Sequence, residues 1–308
     1  MLLDAVLLPR LEQLSLVARR VRAGQSVGER RSTKRGSSVE FADYRDYARG
    51  DDLRRVDWNI YARLERPYVK LFEEEEDLLV HILLDGSGSM DWGAGGDKET
   101  KETRGQGDGE NKWLYAQRTA AVLGYVALTS GDRLTVVNLQ SLSSAPSPQF
   151  GPLGGRGQVL RLFAWLAGQS AEGTTDLNAA LRTYAISGGR AGLVMLISDL
   201  FSPPGYLEGL TALAARGHEV VVIHVLSPDE VDPPLGGDLR LLDVETGDPQ
   251  EVTIDGGLRS LYRCRLEAWR DEIRAACRAR DVHYVPVVTD IPSERVVLYD
   301  LRRAGVVK

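Results

Sequence analysis

The chain has 308 residues, of which 43% are hydrophobic, enough for a sizeable core in about two domains or one large one. Its 44 acidic residues outnumber its 38 basic residues, and the net charge of −6 argues against a dedicated nucleic-acid surface. No apolar run approaches the roughly 20 residues that cross a bilayer, and the N-terminus is not typical of a signal peptide. With only two cysteines, the composition predicts a soluble, cytoplasmic protein without a membrane segment.

The N-terminal part of the chain predicts a helix followed by a basic segment. Apolar residues recur three and four positions apart between Leu2 and Arg22, which is typical of an amphipathic helix. Residues 19–35 are rich in arginine and lysine, and we interpret them as a solvated linker because no aromatic residues are interleaved. An anionic partner for this stretch, such as a nucleic acid, is the less favoured alternative.

Residues 36–76 form a segment that is dense in tyrosine, arginine and aspartate. Within it, the stretch from Pro67 to Phe72 predicts a strand. Its arginines are expected to form buried ion pairs with its aspartates. The residues concerned are Arg45, Arg54 and Arg63 on one side and Asp51, Asp52 and Asp57 on the other. The sequence therefore predicts an N-terminal extension, residues 1–76, and a second domain, residues 77–308.

The most informative stretch runs from Leu78 to Met90, with the sequence LLVHILLDGSGSM. Its apolar run, bounded by turn residues, predicts a strand that is buried on both faces. Asp85 stands where this strand ends, and Ser87 and Ser89 follow it in the spacing Asp-x-Ser-x-Ser. The intervening glycines allow the backbone to turn tightly enough for the three side-chain oxygens to converge.

Beyond this strand, residues 93–111 are polar and of low complexity, which predicts a mobile loop. Strand and helix patterns then alternate, and they predict a doubly wound, mostly parallel α/β sheet flanked by helices, behind an N-terminal helical and β extension. The predicted strands are 133–139, 192–197, 219–226 and 282–288, with a hairpin of 239–242 and 251–254. The predicted helices are 113–130, 158–166, 177–185, 206–215 and 258–280.

Polar turns follow two of the apolar strands, and a third precedes one of the helices. These turns contain Asp85, Ser87 and Ser89; Asp199; and Thr174 with Thr175. Because ligands bind outside the carboxyl ends of the strands in open α/β sheets, we expect these side chains at one edge of the sheet. Their oxygens suit a hard dication, Mg²⁺ or Mn²⁺, and hydroxyl ligands leave such an ion enough positive charge to accept one further carboxylate.

This constellation resembles the metal-ion-dependent adhesion site of von Willebrand factor A domains. The resemblance implies a divalent cation, Mg²⁺ with Mn²⁺ as the alternative, held by Asp85, Ser87, Ser89, Thr175 and Asp199. Thr174 is the alternative to Thr175, and Leu200 departs from the family, in which a glycine often follows the aspartate. In that family an open position on the ion takes an Asp or Glu of the partner, which implies a protein-binding module and not an enzyme.

A second resemblance covers the stretch from Tyr44 to Arg63, YRDYARGDDLRRVDWNIYAR. It is similar to the signature of the bacterial domain-of-unknown-function family 58, whose members have an A-domain-like fold behind an N-terminal segment. Judged from the order of the predicted strands and helices, this likeness extends from about Gly36 to Asp290. Members are often encoded beside MoxR-type AAA+ ATPases, so the resemblance implies an adaptor or cochaperone of such an ATPase.

A metal-dependent phosphohydrolase with Asp85 as its nucleophile is the alternative function. Haloacid-dehalogenase-like phosphatases have a second aspartate two residues further on, where this chain has Ser87. The serine-hydrolase turn G-x-S-x-G requires a glycine two residues before and two residues after the serine, and neither Ser87 nor Ser89 has these glycines. The chain also contains no P-loop. Its four histidines lack the spacing of a zinc site. We therefore predict no catalytic residue.

Overall fold

The structure, a computed structural model, describes residues 7–18, 39–48, 51, 53–74, 77–93, 110–140, 147–187, 189–233, 237–242, 249–254 and 256–308. The basic stretch 19–35 and residues 94–109 of the predicted loop lie outside these described residues. The chain divides into two units, one of residues 27–77 and one of residues 1–26 together with 78–308.

Strands and helices alternate from the middle of the chain onward, as predicted. The strands are β1 (Val39–Asp46), β2 (Tyr68–Glu74), β3 (Leu79–Asp85), β4 (Arg133–Leu139), β5 (Gln149–Gly154), β6 (Leu193–Ser198), β7 (Glu219–Leu226), β8 (Gly237–Leu242), β9 (Pro249–Ile254) and β10 (His283–Val288). The helices are α1 (Leu8–Leu11), α2 (Trp58–Leu64), α3 (Lys112–Thr129), α4 (Val159–Ala167), α5 (Leu177–Ser187), α6 (Leu207–Ala215), α7 (Pro228–Val231) and α8 (Gly256–Ala279). Three short helical segments follow β10: Ser293–Arg295, Val296–Asp300 and Leu301–Arg303.

A six-stranded sheet with the order β10-β7-β6-β3-β4-β5 forms the centre of the larger unit. Neighbouring strands are parallel except β4 and β5, which are antiparallel. This confirms the predicted class, a doubly wound, mostly parallel sheet flanked by helices. The chain runs from β3 to β4 and β5, then returns to β6 on the other side of β3. The strand order therefore reverses at β3 and β6, and their carboxyl ends border the crevice where open α/β sheets bind ligands.

The central strand β3 is apolar from Leu79 to Leu84 except at His81, because both faces of the sheet are covered. Ile82 and Leu84 belong to the core cluster that also contains residues of α3, whereas Leu83 packs in a second cluster with residues of α5 and α6. Helix α3 is buried on almost every side, which explains why most of its residues are apolar. Among the helices of the described residues, none combines the length and apolarity needed to cross a membrane.

The predicted helix from Leu2 to Arg22 is wrong for most of its described part. Helix α1 ends at Leu11, and the chain then continues in an extended form, with Leu16 bridged to Val307 in antiparallel fashion. The side chains of Leu14 and Leu16 are buried two positions apart, which is the spacing of a strand. The leucines also recur three and four residues apart, and this helical spacing led to the wrong prediction in place of the two-residue spacing of Leu14 and Leu16.

The unit of residues 27–77 contains a two-stranded antiparallel sheet of β1 and β2, together with α2. Strand β1 is absent from the sequence prediction, whereas β2 agrees with it. Arg45 pairs with Asp51 at 2.9 Å, but their side chains are 48% and 21% exposed, so the predicted buried pair lies at the surface.

The described N-terminal residues, 7–18, group with residues 78–308. The predicted division put them with the segment that ends at residue 76. Their buried leucines are part of the larger core cluster, which accounts for the grouping.

Candidate functional site

Asp85, the last residue of β3, has a side chain that is held on both oxygens. It is 2% exposed. Its Oδ1 accepts a hydrogen bond from the backbone N–H of Ser87 at 3.1 Å, and its Oδ2 accepts one from the hydroxyl of Ser198 at 2.6 Å. Because Ser198 ends β6, this second bond connects the carboxyl ends of two adjacent parallel strands.

The loop after Asp85 folds back into a short 3-10 helix, Gly88–Met90. The hydroxyl oxygens of Ser87 and Ser89 lie 3.0 Å apart within hydrogen-bonding distance. A Cβ at Gly86 would lie 2.2 Å from Oδ1 of Asn138, so this approach to the neighbouring strand requires glycine. The two serine hydroxyls therefore share one small region beside the aspartate.

A second loop, residues 172–175, is hydrogen-bonded to the first. The N–H of Glu172 donates to the carbonyl of Gly86 at 2.8 Å, and the N–H of Gly88 donates to the carbonyl of Gly173 at 2.7 Å. Thr175 is buried at this edge, where its hydroxyl faces the carbonyl of Leu139, the last residue of β4, at 3.4 Å.

Thr174 and Thr175 differ in burial. Thr174 is exposed, whereas Thr175 is 5% exposed and lies between the loop after β3 and the end of β4. The burial difference favours Thr175 as the side chain that shares this edge with Asp85.

Asp199, the residue after β6, is fully buried. Its Oδ1 accepts a hydrogen bond from the N–H of Phe201 at 3.0 Å, and its Oδ2 lies 2.8 Å from the ammonium of Lys112. The intervening Leu200 has φ +60°, a left-handed conformation in which a side chain is strained. Its N–H donates to the Ser198 hydroxyl at 2.8 Å, and this bond helps to hold the turn.

The electrostatics of this edge centre on two carboxylates. Burial and, to a smaller extent, the charge of Asp199 together raise the pKa of Asp85 to about 6. Hydrogen bonds from Ser198 and Ser87 act in the opposite direction and lower it. Asp85 and Asp199 are therefore close enough to repel each other inside a buried edge.

Lys112 and Glu230 also belong to this site, although neither is among the residues predicted from the sequence. Lys112 opens α3 and forms ion pairs with Asp199 and with Glu230, the latter at 2.5 Å. A signal was present, since a lysine at the first position of a mostly apolar helix stands at the positive end of the helix dipole. Glu230 belongs to a capping box with Ser227, which the sequence also contains.

The oxygen atoms at this edge are of the chemical kind that a hard divalent cation binds. Two buried carboxylates that repel each other, with hydroxyls beside them, are oxygen ligands of the kind that Mg²⁺ takes. Within the described part of the chain, no group of three or more His, Cys, Asp or Glu has a metal-binding arrangement. A cation at this edge would therefore depend on the hydroxyls of Ser87, Ser89 and Thr175 as well as on the two aspartates.

The structure thus defines an α/β protein with a buried acidic and hydroxyl-lined edge at the reversal of its strand order. Residues 43–272 match the family model described as "Protein of unknown function DUF58", and the chain belongs to that family. This confirms the predicted family.

Similar proteins occur in mycobacteria. Uncharacterized protein Mb1516 of Mycobacterium bovis and uncharacterized protein Rv1480 of Mycobacterium tuberculosis are each 28% identical over 287 residues, which is 93% of this chain and 86% of theirs. Uncharacterized protein MAV169 of Mycobacterium avium is 36% identical over 115 residues, which is 37% of this chain and 68% of its own.

Two solved structures are similar at a low level. The conserved hypothetical protein BatB from Bacteroides thetaiotaomicron has a TM-score of 0.43 and 15% identity, over 74% of this chain and 98% of its own. An aerotolerance-related membrane protein from Bacteroides fragilis has the same TM-score and identity, over 73% and 99%. At this level of similarity neither carries a functional argument.

Proposed function

We propose that this protein is a non-enzymatic, divalent-cation-dependent protein-binding module of the von Willebrand factor A type. In this proposal Mg²⁺, or alternatively Mn²⁺, is held at the edge of the sheet and accepts an Asp or Glu side chain of a protein partner. The ligands are Asp85, Ser87, Ser89, Thr175 and Asp199.

One observation supports this proposal above all others. Asp85, which ends β3, and Asp199, which directly follows β6, lie buried at the reversal of the strand order, where the loops of residues 86–88 and 172–173 are hydrogen-bonded together. The ion pair with Lys112 offsets the charge of Asp199, whereas the hydrogen-bond partners of Asp85, Ser87 and Ser198, are neutral. Burying the charge of Asp85 beside Asp199 is costly unless a cation or a proton offsets it as well. A divalent cation is the offset that also explains the hydroxyls beside Asp85.

The residues of the chain have separate roles in this proposal. The bond from Ser198 orients the carboxylate of Asp85, and the N–H of Phe201 orients that of Asp199. A divalent cation bound there supplies a positive charge that a partner's carboxylate recognises. Three of the five proposed ligands are neutral hydroxyls, so within the ligand set only the two aspartates offset the ion's charge, and a partner's carboxylate would add a third negative ligand.

The partner proposed is a MoxR-type AAA+ ATPase, for which this protein would act as an adaptor or cochaperone. The support is the family resemblance, and the chemistry required of the partner is an accessible acidic side chain. Charged contacts of this kind set specificity and rate of association more than bulk affinity.

The proposal is tested by capture of a purified MoxR-type AAA+ ATPase from the same organism on the immobilised protein. We expect capture in Mg²⁺, loss of capture in EDTA, and loss of capture by Asp85→Ala in Mg²⁺. Asp271→Ala is the matched control, since it removes a carboxylate that is 68% exposed and lies outside the site. Capture that is insensitive to both EDTA and Asp85→Ala contradicts a cation-dependent interface.

The same preparations test the alternative function. A metal-dependent phosphohydrolase would turn over a generic phosphate ester, and Asp85→Asn would abolish that turnover. Both oxygens of Asp85 already accept hydrogen bonds, which favours a positioning role over nucleophilic attack. We therefore expect no turnover above the rate of the Asp85→Asn variant.

A further inference from the structure

Lys112 is a fully buried cation beside the proposed ligands. Its side chain and that of Asp199 are each 0% exposed, and their charged atoms, Nζ and Oδ2, lie 2.8 Å apart. The same Nζ lies 2.5 Å from Oε1 of Glu230, whose side chain is 17% exposed. The ring of Phe201, two residues after Asp199, lies with its centroid 5.3 Å from the ammonium.

This position is an unfavourable one for a lysine on local grounds alone. Lys112 is the first residue of α3, directly after the N-cap Asn111, whose side chain accepts hydrogen bonds from two backbone N–H groups. The positive end of the helix dipole repels a cation there, and removal from water adds a further cost. Burial by itself lowers the pKa of Lys112, but the carboxylates of Asp199 and Glu230 outweigh burial and raise it above its usual value.

The ion pair also affects what Asp199 is able to bind. One oxygen of Asp199 accepts the N–H of Phe201, and the other faces the ammonium. A divalent cation at Asp85 and Asp199 would therefore share a carboxylate with an existing positive charge. Two positive charges a few Å apart inside a protein repel strongly.

We propose that Lys112 is an internal counter-ion of the cation site, which neutralises Asp199 and competes with a divalent cation for it. This inference rests on the proposed function, because it concerns the affinity of the same site. Glu230 gives the ammonium a second carboxylate, so the lysine keeps a partner when Asp199 binds the cation. The competition weakens binding of the cation and makes it readily reversible.

The test measures the affinity for Mn²⁺ and Mg²⁺ by calorimetry, with no partner protein present. We expect Lys112→Met to bind either ion more than roughly tenfold more tightly than the wild type, because the repulsion within the site is removed. Lys112→Arg keeps the positive charge and is the matched control, for which the affinity should stay close to that of the wild type. The rise in melting temperature on adding Mn²⁺ should be larger for Lys112→Met than for either charged form.

A double variant guards against misfolding of Lys112→Met. Lys112→Met combined with Glu230→Gln removes one charge of each sign, so the net charge at the site equals that of the wild type while Asp199 is freed. Circular dichroism establishes that it is folded, and we expect it also to bind the cation more tightly than the wild type.

The outcomes separate this inference from the proposed function. If the wild type binds the cation and both Lys112→Met and the double variant bind it equally or more weakly, Lys112 is only a structural partner of Asp199 and the inference is overturned. If neither the wild type nor any variant binds a divalent cation, the proposed cation-dependent function fails together with the inference.

Discussion

His81 is a buried imidazole inside the central strand, four residues before Asp85. It is 5% exposed, and its Nδ1 lies 2.8 Å from the hydroxyl of Tyr184 on α5. Burial lowers the pKa of His81 to about 4, and the neighbouring His218 contributes in the same direction. The side chain is thus a neutral part of the core, and the surroundings oppose its protonation.

This burial predicts a specific pH dependence of stability. In the unfolded chain His81 binds a proton below its usual pKa, near 6.5, whereas in the folded protein it does so only near pH 4. The unfolded state therefore binds more protons between these values, and stability falls as the pH decreases through this window. For His81 the loss between pH 7 and pH 5 is about 2 kcal/mol.

Urea unfolding at pH 7 and pH 5 measures this loss. The variant His81→Gln should lose about 2 kcal/mol less than the wild type over the same interval, because its side chain does not titrate. Tyr184→Phe is the control, since it removes the hydroxyl but leaves the imidazole buried, and its loss should remain close to that of the wild type. Equal losses in His81→Gln and the wild type would refute this role of His81.

At the scale of the elements, the position of the site depends on how closely α3 packs against the sheet. A Cβ at Gly124 of α3 would lie 2.5 Å from Cδ2 of Leu162 on α4 and 2.9 Å from Cδ2 of Leu134 on β4. Both leucines are fully buried, so neither has free space into which to move. The glycine thus sets the distance between α3 and its neighbours, and α3 begins with Lys112 at the site.

Gly124→Val is expected to lower the free energy of unfolding by about 2–3 kcal/mol, because the added methyl groups overpack this contact. Gly157→Val is the control. A Cβ at Gly157 would meet nothing within 4 Å, and its effect should stay within about 0.5 kcal/mol. Urea denaturation of both variants gives the comparison, and similar effects of the two substitutions would mean that α3 has room to shift.

At the scale of the whole molecule, residues distant in sequence complete the core of the larger unit. The N–H of Ser15 donates to the carbonyl of Lys308 at 3.2 Å, and the N–H of Lys308 donates to the carbonyl of Ser15 at 2.9 Å. Between these bonds the side chains of Leu16 and Val307 are each 2% exposed. The extended segment near residue 16 is therefore part of the main core.

Leu16→Ala is predicted to destabilise the protein by about 2–5 kcal/mol, as expected for a large-to-small substitution of a buried leucine. Leu160→Ala, at a side chain that is 79% exposed, should change stability by less than about 0.5 kcal/mol. Thermal or urea unfolding distinguishes the two. A Leu16→Ala variant as stable as the Leu160→Ala variant would be inconsistent with a core position for residue 16.

The sequence by itself determined the class of the fold and the family. The runs 193–197 and 220–223 are apolar throughout because their strands are covered on both faces, so the length of these runs identified the central strands directly. The positions of Asp85 and Asp199 at strand ends also followed from the sequence, because a change from apolar to small polar residues marks the end of a buried strand.

Only the tertiary structure decided which distant residues meet. The segment around Leu16 is extended because it pairs with Val307, at the other end of the described chain. Its own residues show the leucine spacing of a helix, so the sequence of this segment could not predict the pairing. The ion pairs of Lys112 likewise join the start of α3 to Asp199, which follows β6, and to Glu230 in the short helix α7. Such ion pairs depend on how helices pack on the sheet, and the periodicity of one segment holds no information about the charge that another segment brings to it.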